Sequence, residues 1–201
     1  MLEIKETDGK VGVIKLGNWD TNFNASVKNR SKWVEYMENM NGTNILKVKN
    51  YEDDKDIQDQ SWDGIVYYKG KKAPERIEFK TGSINNYKKY FLTQNKPVLF
   101  ETISNIELDR YSSSIWNCNA EIYAYGFGVD DIIVEPTFIN MEKFKKFFTK
   151  SYFNTLKKWQ YPFKTPGKIY ANTNNLYNTE SVLIPQELLI ECFHNFMENE
   201  I

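Results

Sequence analysis

Trp62-Asp63-Gly64-Ile65-Val66-Tyr67-Tyr68, a Lys/Gly turn, and then Arg76-Ile77-Glu78-Phe79-Lys80-Thr81-Gly82 form the stretch that decides how this chain is read. An acid heads one apolar strand, and Glu-x-Lys lies inside the next. Side chains alternate along a strand, so Glu78 and Lys80 are predicted to leave one face and Ile77 and Phe79 the other. If the two strands pair as a hairpin, Asp63 comes close to Glu78. Two carboxylates and an ammonium at one spot are costly to bury unless something compensates them, and a divalent cation held by oxygen ligands would do so.

Acid-x-Lys by itself carries little information, because it recurs at Glu3/Lys5, Asp8/Lys10 and Asp53/Lys55. Only Glu78/Lys80 lies in a strand of alternating apolar residues. It follows a strand that begins with an acid and precedes Lys96-Pro97-Val98-Leu99-Phe100-Glu101-Thr102-Ile103, a strand that carries Glu101. The plain alternative is a surface hairpin with cross-strand ion pairs, each contributing about 0.2–1 kcal/mol.

Outward from this stretch, Val11–Leu16 and Asn44–Lys49 are predicted strands, with an Asn-rich loop over Asn18–Asn24. Ser26–Met40 is predicted to be a helix, since Val27, Trp33, Val34, Met37 and Met40 share one side and Asn41-Gly42 can cap it. Glu38 lies at the edge of that side. Glu52–Asp59 reads as a solvated acidic loop. A strand is expected from about Ile122, where Tyr123, Tyr125 and Phe127 alternate. Another covers Asp131–Val134 and stops at Pro136. A helix follows over Asn140–Trp159 with Asn140 as its cap. Ser181–Ile184 is a last strand, and Pro185 opens a closing helix to about Glu198. The order suggests an α/β chain, with α+β also open, built on a single mixed central sheet flanked by helices. One domain over residues 1–201 is expected, with a motif region at about 60–127 and a basic, helical part at about 140–201.

Composition narrows the function classes. With 41% apolar and 26% charged residues the chain reads as a globular, soluble protein. No apolar run approaches the ~20 residues of a membrane span, and the first residues do not resemble a signal peptide, so a cytoplasmic protein without a membrane partner is expected. Cys118 and Cys192 are too far apart for a zinc pair and read as reduced thiols. The single histidine, His194, lies among aromatics in the expected closing helix, which weighs against Ser-His or Cys-His chemistry.

The total charge of −1 hides an asymmetry. Residues 142–168 hold eight lysines against one glutamate, a net +7, which leaves −8 for the remainder. Phe144, Phe147 and Phe148 in this part have core spacing. Lys143, Lys145, Lys146, Lys150, Lys157 and Lys158 would then form an exposed basic side, for which a phosphate backbone is a natural partner. Trp159, Tyr161 and Phe163 are candidate base-stacking groups.

Asp63, a spacer and Glu78-x-Lys80 are similar to the core of the PD-(D/E)XK nuclease superfamily, with Trp62 where the motif's name has proline. A second block resembles phage and prophage members: Val98–Asn105, then Ser114-Ile115-Trp116-Asn117-Cys118-Asn119-Ala120-Glu121-Ile122-Tyr123, in which Ser114 replaces a glycine and Glu121 an aspartate. The resemblance covers about residues 60–127 and implies a restriction-endonuclease-like core and a metal-dependent nuclease, of DNA before RNA. Asp63, Glu78 and the Phe79 carbonyl would hold Mg²⁺, with Mn²⁺ as a substitute. Lys80 would position or help deprotonate water and stabilise the transition state, and Glu101 would orient water or bind a second metal. Many such nucleases are dimers, and a homodimer is compatible with the chain. The helix Ser26–Met40 lacks a clear match to the acid that many members carry there. Two rivals remain at this point: a nucleic-acid-binding module that does not cut, and a phage or mobile-element protein that inhibits a host protein.

Overall fold

A computed structural model describes residues 3–7, 10–14, 19–51, 62–70, 73–82, 84, 87–88, 96–103, 115–148, 169–171 and 180–196. The expected acidic loop at 52–59 and everything between 149 and 168 lie outside these residues. The elements are β1 (Glu3–Thr7), β2 (Lys10–Ile14), α1 (Trp19–Glu38), β3 (Ile45–Asn50), β4 (Gly64–Tyr68), β5 (Glu75–Gly82), β6 (Pro97–Ile103), β7 (Ile122–Val129), β8 (Ile132–Asn140), α2 (Met141–Phe147), β9 (Ile169–Ala171) and β10 (Glu180–Pro185). The chain is α/β, and its mixed central sheet has the order β3-β4-β5-β7-β8. Only β5 and β7 run parallel; the other neighbours are antiparallel. A second sheet, β6-β10-β9, and a β1-β2 hairpin accompany it. The strand carrying Glu101 therefore belongs to the second sheet, while Glu78 belongs to the first.

Strand alternation sorts β5 and β7 between two cores. Ile77 and Phe79 with Ile122 and Ala124 face α1, where Trp33 and Met37 are fully buried. Tyr123, Tyr125 and Phe127 face the other way, onto Phe100 of β6, Val182 and Ile184 of β10, and Phe144 and Phe148. The layers are thus α1, the five-stranded sheet, then the smaller sheet with α2. Close approach is built in at Gly126, where an added Cβ would lie 2.9 Å from both Trp33 and Ile133 side chains. At Gly64 an added Cβ would meet the Lys49 carbonyl oxygen at 2.6 Å, so the residue after Asp63 has to be glycine for β3 and β4 to pair as they do.

Several expectations are corrected. Helix α1 begins at Trp19 and takes in the Asn-rich stretch expected to be a loop. Asn, Asp and Thr are only modestly unfavourable in helices, and no Gly or Pro interrupts 19–38. Strand β8 runs through Pro136 rather than stopping before it. The register with β7 slips between Tyr125 and Phe127, and Glu135 has φ 49°, so the proline sits at a bulge on an edge strand, where a missing N–H is tolerated. The expected closing helix is instead two 3-10 turns, Gln186–Leu188 and Ile190–Cys192, followed by extended chain. There Phe193 pairs with Ile139 and the His194 N–H donates to the Phe138 carbonyl at 2.9 Å. Three-residue spacing of the buried Leu189 and Cys192 suits 3-10 turns. Phe196 ends buried against Phe138 and Tyr68, and its carbonyl accepts the Asn44 N–H. Asn140 does cap α2, accepting from the Lys143 N–H at 2.9 Å. Phe147, expected in the core, is 61% exposed: α2 ends there, and Phe148, in an extended C-cap conformation, is the residue buried against Phe144.

Candidate functional site

The β4–β5 ladder ends at Gly64↔Ile77, with the Asp63 N–H donating to the Ile77 carbonyl at 2.8 Å. Here β4 parts from β5, and the Asp63 side chain takes over the pairing. Its Oδ2 accepts the Phe79 N–H at 2.8 Å. The N–H and carbonyl of one strand residue point to the same side, so the Phe79 carbonyl lies on the edge of β5 that faces Asp63. Glu78 and Lys80 leave the face opposite Phe79 and pair with each other at 2.6 Å. Asp63 and Glu78 are buried, at 6% and 7% exposure. Asp63, Glu78 and Lys80 are therefore brought together, as the sequence predicts. Glu101, half-buried on β6, is near enough to act on the Lys80 ammonium.

The electrostatics are those of a crowded, dehydrated site. Burial pushes the Asp63 carboxyl up to about 7 and Glu78 adds to the rise, against the pull of Lys80, Arg30 and the Phe79 N–H. Burial pulls the Lys80 ammonium down, but Glu78, Asp63 and Glu101 outweigh it and hold it above its ordinary value. Lys80 is thus a fixed cation at neutral pH, suited to stabilising negative charge and to positioning water, and not to accepting a proton in this arrangement. Cys118 lines the same region. Burial, then Glu78, push its thiol up to about 12, so it stays protonated and is no nucleophile.

One member was not found from the sequence. Arg30 reaches down from α1 onto the gap between β4 and β5, and its Nη2 lies 2.5 Å from Asp63 Oδ1. The available signal was Arg30 at three and seven residues before Trp33 and Met37, which puts a lone arginine on the buried stripe of the helix. Glu38, at the edge of that stripe, is structural, since it accepts the Val48 N–H at 3.0 Å and fixes the helix end to β3. Glu121 is also structural, gripping the Arg76 guanidinium and accepting its main-chain N–H at 2.6 Å. His194 is a satisfied histidine, 3.3 Å from Glu75 and close to Tyr68, near the opposite end of β5.

Of the basic residues, Lys143 and Lys146 are exposed, while Lys145 turns inward and donates to the Cys118 carbonyl at 2.5 Å. Lys150, Lys157, Lys158 and the aromatics Trp159, Tyr161 and Phe163 lie outside the described residues. Among the described residues no group of three or more His, Cys, Asp or Glu side chains is placed to hold a metal ion. The donor set that does exist, two buried carboxylates and a main-chain carbonyl edge, is hard oxygen. It suits Mg²⁺ or Mn²⁺, which take one or two carboxylates and keep water. The two carboxylates also raise each other's cost, which a divalent ion would relieve. No helix among the described residues is long and apolar enough to cross a membrane. The chain matches no protein-family model, no curated protein and no solved structure.

Proposed function

We propose that the chain is a Mg²⁺-dependent nuclease of the PD-(D/E)XK type, acting on DNA before RNA. The observation that carries the reading is the convergence of Asp63, Glu78 and Lys80 at the point where β4 leaves β5, with Glu101 of the second sheet near enough to act on Lys80. Asp63, Glu78 and the Phe79 carbonyl would hold the ion. Bound there, it would supply an activated water at neutral pH and charge neutralisation at the phosphate. Lys80 remains an ammonium next to the reacting phosphate and stabilises the charge that builds on its oxygens. Glu101, near enough to act on Lys80, would orient that ammonium and the water. Lys143 and Lys146 extend a basic surface for the phosphate backbone. A phage or mobile-element origin, a cytoplasmic setting, Mn²⁺ as a substitute and a homodimer belong to the same proposal.

A second reading is favoured by one fact. Each buried carboxylate already has a cation, Arg30 on Asp63 and Lys80 on Glu78, so neither lacks a counter-charge without metal. A nucleic-acid-binding module that does not cut would keep such a cluster as a structural core.

The deciding experiment is cleavage of single-stranded DNA, duplex DNA and RNA with Mg²⁺ or Mn²⁺ against EDTA. Asp63→Asn, Glu78→Gln and Lys80→Met are each expected to lower the rate by at least ~100-fold, the scale of removing one preorganised charged group. Cutting by these variants at the wild-type rate would sink the site. Metal-tolerant binding with no product in any lane would favour the binding module.

A further inference from the structure

We infer that Arg30 is a resident counter-ion that the divalent metal displaces from Asp63, and that the released guanidinium then contacts the phosphodiester. The inference rests on the metal-site reading above. It starts from occupancy. Asp63 has two oxygens: Oδ2 is held by the Phe79 N–H at 2.8 Å, and Oδ1 is held by Arg30 at 2.5 Å. A metal ligated by Asp63 takes Oδ1 most readily, since Oδ2 already accepts a main-chain hydrogen bond. The metal and the guanidinium therefore compete for one atom, where two cations at short range repel each other.

Arg30 is the cation that leaves, and Lys80 the one that stays. Lys80 feels three carboxylates, Glu78, Asp63 and Glu101. Arg30 is ion-paired to Asp63 alone among the described residues. The backbone that carries Arg30 does not move with it. Trp33, one turn on, is fully buried, stacks on Phe79 at 5.6 Å and donates from Nε1 to Thr81 Oγ1 at 3.0 Å. These contacts clamp α1 to β5 on both sides of Lys80. Exchange is therefore confined to the arginine side chain, which starts within 2.5 Å of a proposed ligand atom and ends beside whatever the metal binds. A phosphodiester oxygen is an acceptor matched to its planar fork. In this scheme the empty site is self-neutralised, which avoids two uncompensated buried carboxylates, and metal and nucleic acid load together.

The test follows Mn²⁺ binding by electron paramagnetic resonance on the full chain, for the wild type, Arg30→Gln, Arg30→Lys and Asp63→Asn. Folding is checked by circular dichroism. A second readout is the anisotropy of a labelled duplex in Ca²⁺. Arg30→Gln is expected to bind Mn²⁺ roughly tenfold more tightly, because a close charge pair no longer competes. It is expected to bind the duplex more weakly. Asp63→Asn is expected to lose Mn²⁺. If Arg30→Gln does not fold, Arg30→Lys takes its place, with a several-fold tightening expected from the lost fork geometry. Unchanged Mn²⁺ affinity in the Arg30 variants, with loss in Asp63→Asn, would overturn the exchange and leave the metal site standing. No Mn²⁺ binding by the wild type or any Arg30 variant would overturn the metal site, and this inference with it.

Discussion

Among the described residues, two arginine–carboxylate pairs join separate elements, and they behave in opposite ways. Arg76 and Glu121 link the start of β5 to the start of β7 with side chains 42% and 41% exposed. Burial raises the Glu121 carboxyl, but the hydrogen bonds and charge of Arg76 outweigh it, and Glu121 is held below its ordinary value. Arg30 and Asp63 meet with side chains 15% and 7% exposed, and there burial and Glu78 win, so Asp63 rises despite its arginine. The chemistry of the partners is the same. What differs is water, and the presence of a second carboxylate. A half-exposed pair fastens strands together. A buried pair beside another acid carries a desolvation cost that its own charges do not repay.

The largest test of this contrast is the pH dependence of stability. Asp63 binds its proton more tightly folded, at about 7, than unfolded, near the usual carboxylate value of about 3.9. Between these values the folded state carries the extra proton, so this group makes stability fall as pH rises from about 4 to about 7. The fall is on the order of 4 kcal/mol, from a gap of about three pKa units. Asp63→Asn removes it, and urea unfolding followed by circular dichroism across that window is expected to move in the variant's favour as pH rises. Parallel wild-type and variant curves would break the contrast.

A smaller effect is expected from Arg30→Met. Without its arginine the Asp63 carboxyl escapes ionisation by keeping its proton. The electrostatic loss is therefore close to nothing at pH 5 and grows by up to about 1.4 kcal/mol for each pH unit above 7. A loss of equal size at pH 5 and pH 9 would make Arg30 a packing residue. Smallest is Arg76→Met, where a half-exposed pair is expected to cost about 1 kcal/mol or less. Because Glu121 titrates below its ordinary value, that loss stays level from pH 5 to pH 9 in the same urea measurements. A slope matching that of Arg30→Met would mean that the two pairs are alike.

The hairpin of β4 and β5 was legible because its information is local. Alternation in Ile77-Glu78-Phe79-Lys80 sets the faces, and the acid before Gly64 marks the end of the ladder. What was not legible depends on distant pairing. Nothing in Val98–Ile103 states that it will join β10, some eighty residues on, rather than β5. Arg30 could be placed on the buried stripe of its helix, yet only the packing of α1 on the sheet face chooses Asp63 as its partner. At 186–196 the apolar pattern fits a helix, and the pairing of Phe193 with Ile139 overrides it.

The seating of Phe196 has a kinetic meaning. Its ring closes the core under α1, and β10 supplies the middle strand of the second sheet, so both cores wait for chain that follows the site residues by eighty positions or more. Contacts of such long sequence separation form late, because loop closure precedes any reward. The five side chains of the candidate site, Arg30 included, all precede residue 102, but their rigidity is borrowed from residues 180–196. In refolding, tight metal binding is therefore expected to lag behind the first helical and hairpin signals and to arrive with the last step.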